Sequence, residues 1–119
     1  MTPAFWRLAL AACTAGMLYL SLVPAPPSAG LGWDKANHAV AMAAVTAVGF
    51  LAFRPSHRAV AYGAAYALTL GMLIELLQGT LTSSRSAEWG DLLADVTGTV
   101  AALLLISIWR TRTGAPCNR

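Results

Sequence analysis

The chain consists of four long apolar runs separated by short polar segments. The runs cover residues 5–23, 33–53, 59–81 and 90–109. Each approaches the roughly 20 residues that a helix needs to cross a bilayer. The first run ends at a proline-rich segment that cannot continue a helix, and the second ends before Arg54-Pro55. The pattern predicts four membrane-spanning helices and a polar tail at residues 110–119.

The short loops predict an all-α fold, a single domain over residues 1–119 in which four transmembrane helices form an antiparallel bundle. The positive-inside rule then sets the orientation, because cytoplasmic loops collect Lys and Arg. Lys35 and Arg85 fall on one side of the predicted bundle, and six cations fall on the other: Arg7, Arg54, Arg58, Arg110, Arg112 and Arg119. This distribution predicts that both termini are cytoplasmic.

Composition supports an integral membrane protein. Hydrophobic residues make up 57% of the chain and charged residues 11%, whereas soluble proteins average about 45–50% and about 25%. Intrinsic disorder is excluded, because disordered chains have low hydrophobicity. The net charge of +3 fits contact with anionic inner-leaflet lipids. The bilayer is therefore the expected partner, and no nucleic-acid partner is predicted.

The N-terminal run allows alternatives to a permanent helix. A signal peptide cleaved near Ser28-Ala29-Gly30 is one, and a lipoprotein-like signal at Leu10-Ala11-Ala12-Cys13 is another. The apolar run continues well beyond Cys13, and cleavage would remove one helix of a small bundle. We therefore expect the first helix to be retained.

All the acidic residues fall in the predicted outer half of the membrane. They are Asp34, Glu75, Glu88, Asp91 and Asp95. An ionisable residue inside a spanning helix costs about 2.5–3.5 kcal/mol on insertion scales and is usually paired and functional. The asymmetry therefore points to an outward-facing polar site. It also argues against ion transport, because the inner half offers no charge to complete a pathway.

Helical spacing sorts the polar residues into faces. Asp34 and His38 are four residues apart, Glu75 and Gln78 are three apart, and Asp91 and Asp95 share a stripe with Gly98. The topology brings these faces to one leaflet, with Arg85 in the loop between the last two helices. The candidate ligand-binding set is Asp34, Lys35, His38, Glu75, Gln78, Arg85, Asp91 and Asp95.

Several of these residues also have structural interpretations. Asp34 with Lys35 could be an interfacial charge pair, and Asp91 could be an N-cap or first-turn acid that complements the helix dipole. Glu88 and His57 are expected to be solvated loop residues. Small residues at every fourth position, Gly63, Ala67, Gly71 and Gly79, predict that Glu75 lies near a packed helix interface.

The polar blocks resemble the VanZ-like family of small bacterial membrane proteins. The resemblance rests on Asp34-Lys35-Ala36-Asn37-His38, on Glu75-Leu76-Leu77-Gln78, on Arg85, and on the block from Asp91 to Gly98. It implies a multi-pass protein of the bacterial cytoplasmic membrane, in a family named after a member associated with teicoplanin resistance. It implies no established reaction. Asp95 departs from the asparagine expected there, and Met42 from the aromatic residue common after the histidine.

Three functions are compatible with these residues. The first is a module that binds a lipid-linked or cell-envelope anion through Arg85 and Lys35. The second is an enzyme acting on an outer-leaflet lipid, with His38, Glu75 and Asp91 as candidate acid and base. The third is a purely structural bundle or an assembly partner. No nucleotide, zincin or serine-hydrolase motif and no Cys or His metal spacing occurs, so neither a cofactor nor a metal is predicted.

Overall fold

Four helices make up the fold. The computed structural model describes residues 1–23, 31–81 and 88–114, without the side chains of 31–34. The helices are α1 (Pro3–Leu22), α2 (Leu31–Ala52), α3 (Ala59–Leu81) and α4 (Trp89–Thr113). Each is long and apolar enough to cross a membrane. The predictions of an all-helical fold and of four apolar helices of spanning length are confirmed.

The helix ends follow ordinary capping chemistry, and the bounds differ from the predicted ones by at most two residues except at the end of α4. α1 begins with Pro3, and the Thr2 hydroxyl accepts a hydrogen bond from the Phe5 backbone N–H. α4 continues beyond residue 109 to Thr113, so the first part of the predicted polar tail is helical. Cations in its last turn complement the helix dipole. Gly114, with φ 59°, then ends the helix in the left-handed conformation.

α2 is the central helix and contacts α1, α3 and α4. Its contact with α4 is very close, because a Cβ added to Gly98 would overlap the backbone carbonyl of Ala39. Its contact with α3 is also close, since a Cβ on Gly63 would lie 2.7 Å from the Phe50 backbone nitrogen. Small residues thus allow backbone-to-backbone packing, as is common between helices in lipid.

The buried core is small and lies along α2 and α3. Its main cluster consists of Leu10, Met42, Val45, Ala52, Ala67, Leu70 and Ile74. Many large apolar side chains point away from it, including Leu8, Val40 and Met72, which are each more than half exposed. Such an apolar exterior is the expected surface of a helix bundle whose solvent is lipid.

Candidate functional site

An ion-pair cluster joins the beginning of α2 to the beginning of α4. The Lys35 ammonium donates hydrogen bonds to Asp91 Oδ1 at 2.9 Å and to Glu88 Oε2 at 3.1 Å. The Lys35 side chain is 39% exposed, whereas that of Asp91 is 8% exposed. Asp91 lies in the first turn of α4, and Glu88 is its N-cap residue without a side-chain cap bond. We call Lys35, Glu88 and Asp91 the outer cluster.

A second group of polar side chains lies deeper, one helical turn along α2 and α4. His38 Nδ1 lies 3.1 Å from Asp95 Oδ1. The Asp95 side chain is 1% exposed and that of His38 is 11% exposed. Glu75 reaches this region from α3 and is also buried. We call His38, Glu75 and Asp95 the inner cluster; three different helices contribute to it.

Glu75 connects the two clusters. Its Oε2 accepts a hydrogen bond from the Glu88 backbone N–H at 3.1 Å. That amide is one of the N–H groups near the start of α4 that have no partner within the helix. The carboxylate of α3 therefore supports the beginning of α4. Burial of Glu75 at this contact confirms the prediction that it lies near a packed interface.

Gln78 is a supporting residue. Its amide Nε2 donates a hydrogen bond to the Ser21 carbonyl oxygen at 3.1 Å, near the end of α1, where the last carbonyls lack partners within the helix. The side chain is buried. The bond ties α1 to α3 beside the inner cluster.

Most members of the predicted ligand-binding set lie among the described residues. It brings Lys35, His38, Glu75, Asp91 and Asp95 to one end of the bundle. The Asp34 side chain and the whole of Arg85 lie outside the described residues, so their predicted roles stay predictions.

Glu88 is the residue that sequence reasoning missed. It is exposed and lies just before α4, as predicted for a solvated loop residue, but it also pairs with Lys35, and its backbone N–H donates to Glu75. Its place just before the apolar run of α4 is the signal that could have identified it, because helix starts recruit acidic side chains. His57 is likewise exposed, as predicted.

A cavity of about 430 Å³ lies beside the inner cluster. Its lining is amphiphilic: Met17, Leu20, Ala41 and Ile74 are apolar, and Ser21, Asn37 and His38 are polar. His38 is therefore shared between the cavity and the inner cluster. A polar group held at His38 and an apolar chain along the remaining wall is the kind of ligand that such a lining accommodates.

The chain matches no protein-family model, no curated protein and no solved structure.

Proposed function

We propose that the chain is a VanZ-like multi-pass protein of the bacterial cytoplasmic membrane. In this proposal an outward-facing polar pocket engages a lipid-linked or cell-envelope anion and thereby contributes to teicoplanin resistance. The observation that carries it is the position of the amphiphilic cavity beside the inner cluster. Ionisable residues at membrane depth are costly and usually functional, and the apolar wall suits the chain of a lipid.

The proposed bundle runs up and down, with both termini in the cytoplasm. Contacts between helices support the antiparallel arrangement. Near one end of α2, Arg7 of α1 donates to the Ala52 carbonyl, and Gly49 packs on Gly63 of α3. Near the other end, His38 pairs with Asp95 of α4. The Lys and Arg distribution supports the cytoplasmic position of the termini.

Recognition of an anion needs cations, and the outer half contains Lys35 and Arg85. Lys35 is oriented by Glu88 and Asp91 while over a third of its side chain stays exposed. The Arg85 guanidinium suits bidentate recognition of phosphate or carboxylate. Substitution of Arg85 should therefore weaken binding of the anion more than any other change.

The test is binding of a fluorescent long-chain lipid phosphate to the protein in zwitterionic nanodiscs. We expect Arg85→Gln to weaken binding by at least about tenfold, because a hydrogen bond to a charged group contributes about 1.5–3 kcal/mol. Arg58→Gln, on the opposite predicted side, is the matched control and should bind like the wild type. Equal affinity of Arg85→Gln and wild type would exclude the proposed recognition.

An enzyme of outer-leaflet lipids is the second candidate, and one contact favours it. The imidazole of His38 lies 3.1 Å from the buried Asp95 carboxylate, and a carboxylate that orients an imidazole is a common general-base arrangement. In this alternative His38 would exchange protons with the substrate at the cavity wall. Hydrolysis or transfer on a panel of outer-leaflet lipids, lost in His38→Gln, would distinguish it from simple binding.

A further inference from the structure

The inner cluster has the composition of a metal-binding site. His38 on α2, Glu75 on α3 and Asp95 on α4 each offer one ligand atom, and these atoms all lie within 4.8 Å of one another. In a tetrahedral site with bonds of about 2.0–2.2 Å, neighbouring ligand atoms are about 3.3–3.6 Å apart. The observed spacing of the three atoms therefore exceeds that distance by at most about 1.5 Å.

Two buried carboxylate oxygens provide an independent indication of a cation. Among the residues that the structure describes, Glu75 Oε1 and Asp95 Oδ2 have no hydrogen-bond partner. Asp95 is fully buried, and Glu75 is 8% exposed. A buried carboxylate oxygen without a partner is strongly unfavourable unless a cation or a proton compensates it. Both oxygens belong to the same cluster, so one ion could satisfy both.

Gly71 keeps space for one of these oxygens. It lies on α3 one turn from Glu75, and a Cβ added to it would be 2.5 Å from Asp95 Oδ2. The absence of a side chain at this position lets the Asp95 carboxylate approach the α3 backbone. Any larger residue would have to displace the carboxylate. The position of Asp95 therefore depends on a glycine that contributes no ligand itself.

We propose that His38, Glu75 and Asp95 bind one divalent metal ion, either Zn²⁺ or Mn²⁺. One imidazole nitrogen with two carboxylate oxygens is a mixed set that such ions accept, whereas Mg²⁺ and Ca²⁺ prefer oxygen alone. Two carboxylates also balance the charge of a divalent ion. The sequence did not suggest the site because its ligands lie on three helices and have no local spacing.

Three protein ligands leave a coordination position open, as in catalytic zinc sites. His38 also lines the amphiphilic cavity, so an ion bound beside it could attract an anionic head group. This use of the ion rests on the proposed function. The metal site itself does not, because it follows from the inner cluster alone.

The experiment is metal binding by the full chain in detergent, with any affinity tag removed and with prior treatment by a chelator. Zn²⁺ and Mn²⁺ are titrated separately by calorimetry, and bound metal is counted by mass spectrometry after gel filtration. We expect one of these ions to saturate at one per chain and to raise Tm, since an ion that binds the folded state stabilises it.

Variants separate the inner cluster from nonspecific sites. Asp95→Asn and His38→Gln should each lower affinity by at least about tenfold, a loss seen even for changes outside the direct ligands. Gly71→Ala should also weaken binding, through displacement of Asp95. His57→Gln, which changes the exposed histidine between α2 and α3, should bind like the wild type. If Asp95→Asn or His38→Gln does not elute as a folded monodisperse species, Glu75→Gln is measured in its place.

Two results would overturn the proposal. One is the absence of saturable binding of either ion to the wild-type protein, which would indicate that the two carboxyl groups share a proton. The other is an unchanged affinity in the folded inner-cluster variants. Lipid-phosphate binding that persists in chelator and still depends on Arg85 would leave the proposed function intact without the metal. Metal binding without lipid-phosphate binding would support the metal site and exclude the proposed function.

Discussion

Replacement of Gly98 with alanine is expected to separate α2 from α4 and to lower the free energy of unfolding by about 3 kcal/mol. The added methyl group would overlap the carbonyl oxygen and carbon of Ala39. Both obstructing atoms belong to a helix backbone, so no side-chain rotation can relieve the overlap. Overpacking of a well-packed contact costs about 1–3 kcal/mol and occasionally more, and a rigid backbone places this case at the upper end.

Gly16 on α1 provides the matched control. A Cβ there would have no atom within 4 Å. Gly16→Ala should therefore be as stable as the wild type or slightly more stable, because alanine favours helices. Unfolding of both variants can be followed by circular dichroism in detergent with a denaturing surfactant. Equal stability of Gly98→Ala and Gly16→Ala would show that the α2–α4 contact is not as close as described.

Truncation of Met42 to alanine should be the second large effect, with a loss of about 2–3 kcal/mol. Met42 is fully buried in the core of α1, α2 and α3. Lipid is as apolar as the side chain, so little of the loss comes from transfer out of water. It comes from the cavity left behind, whose lining loses dispersion contacts.

Met72 on α3 is the control of identical chemistry, because its side chain is 62% exposed. Met72→Ala removes the same atoms from a surface that lipid or detergent can fill, so we expect little change in stability. The difference between the two truncations, measured in the same detergent, isolates packing from hydrophobicity. A smaller loss for Met42→Ala than for Met72→Ala would contradict the assignment of the core.

The sequence predicted the helices well because length and apolar character determine what can span a bilayer. The bounds of α3, Ala59–Leu81, agree with the predicted run. The end of α4 did not agree, because a helix can extend beyond its apolar run. Backbone hydrogen bonds do not require apolar side chains, and Arg110 and Arg112 complement the helix dipole.

The sequence predicted which residues lie near the site but not which of them contact one another. Spacing placed His38, Glu75 and Asp95 at one end of the bundle. It could not reveal that His38 pairs with Asp95, because that depends on the register between α2 and α4 and on the close approach at Gly98. The pair formed by Lys35 and Glu88 was missed for the same reason.

The two clusters differ in what they contribute to the fold. In the outer cluster Asp91 has a direct cationic partner, Lys35, at 2.9 Å. In the inner cluster Glu75 and Asp95 each retain a buried oxygen without a partner among the described residues. Binding sites often sacrifice stability in this way. The central claim is therefore that the inner cluster exists for a ligand, while the pairing of Asp91 with Lys35 in the outer cluster stabilises the bundle.

Thermal unfolding in detergent with a chelator tests that claim most directly, with wild type compared with Glu75→Gln, Asp95→Asn and Asp91→Asn. Glu75→Gln and Asp95→Asn each remove a buried charge but keep one side-chain oxygen that can accept the hydrogen bond seen in the structure. Asp91→Asn removes the negative charge that Lys35 contacts. We expect Glu75→Gln and Asp95→Asn to melt at or above the wild-type Tm, and Asp91→Asn to melt below it. If Glu75→Gln and Asp95→Asn both melt well below the wild type, the inner cluster holds the bundle together and is not a ligand site.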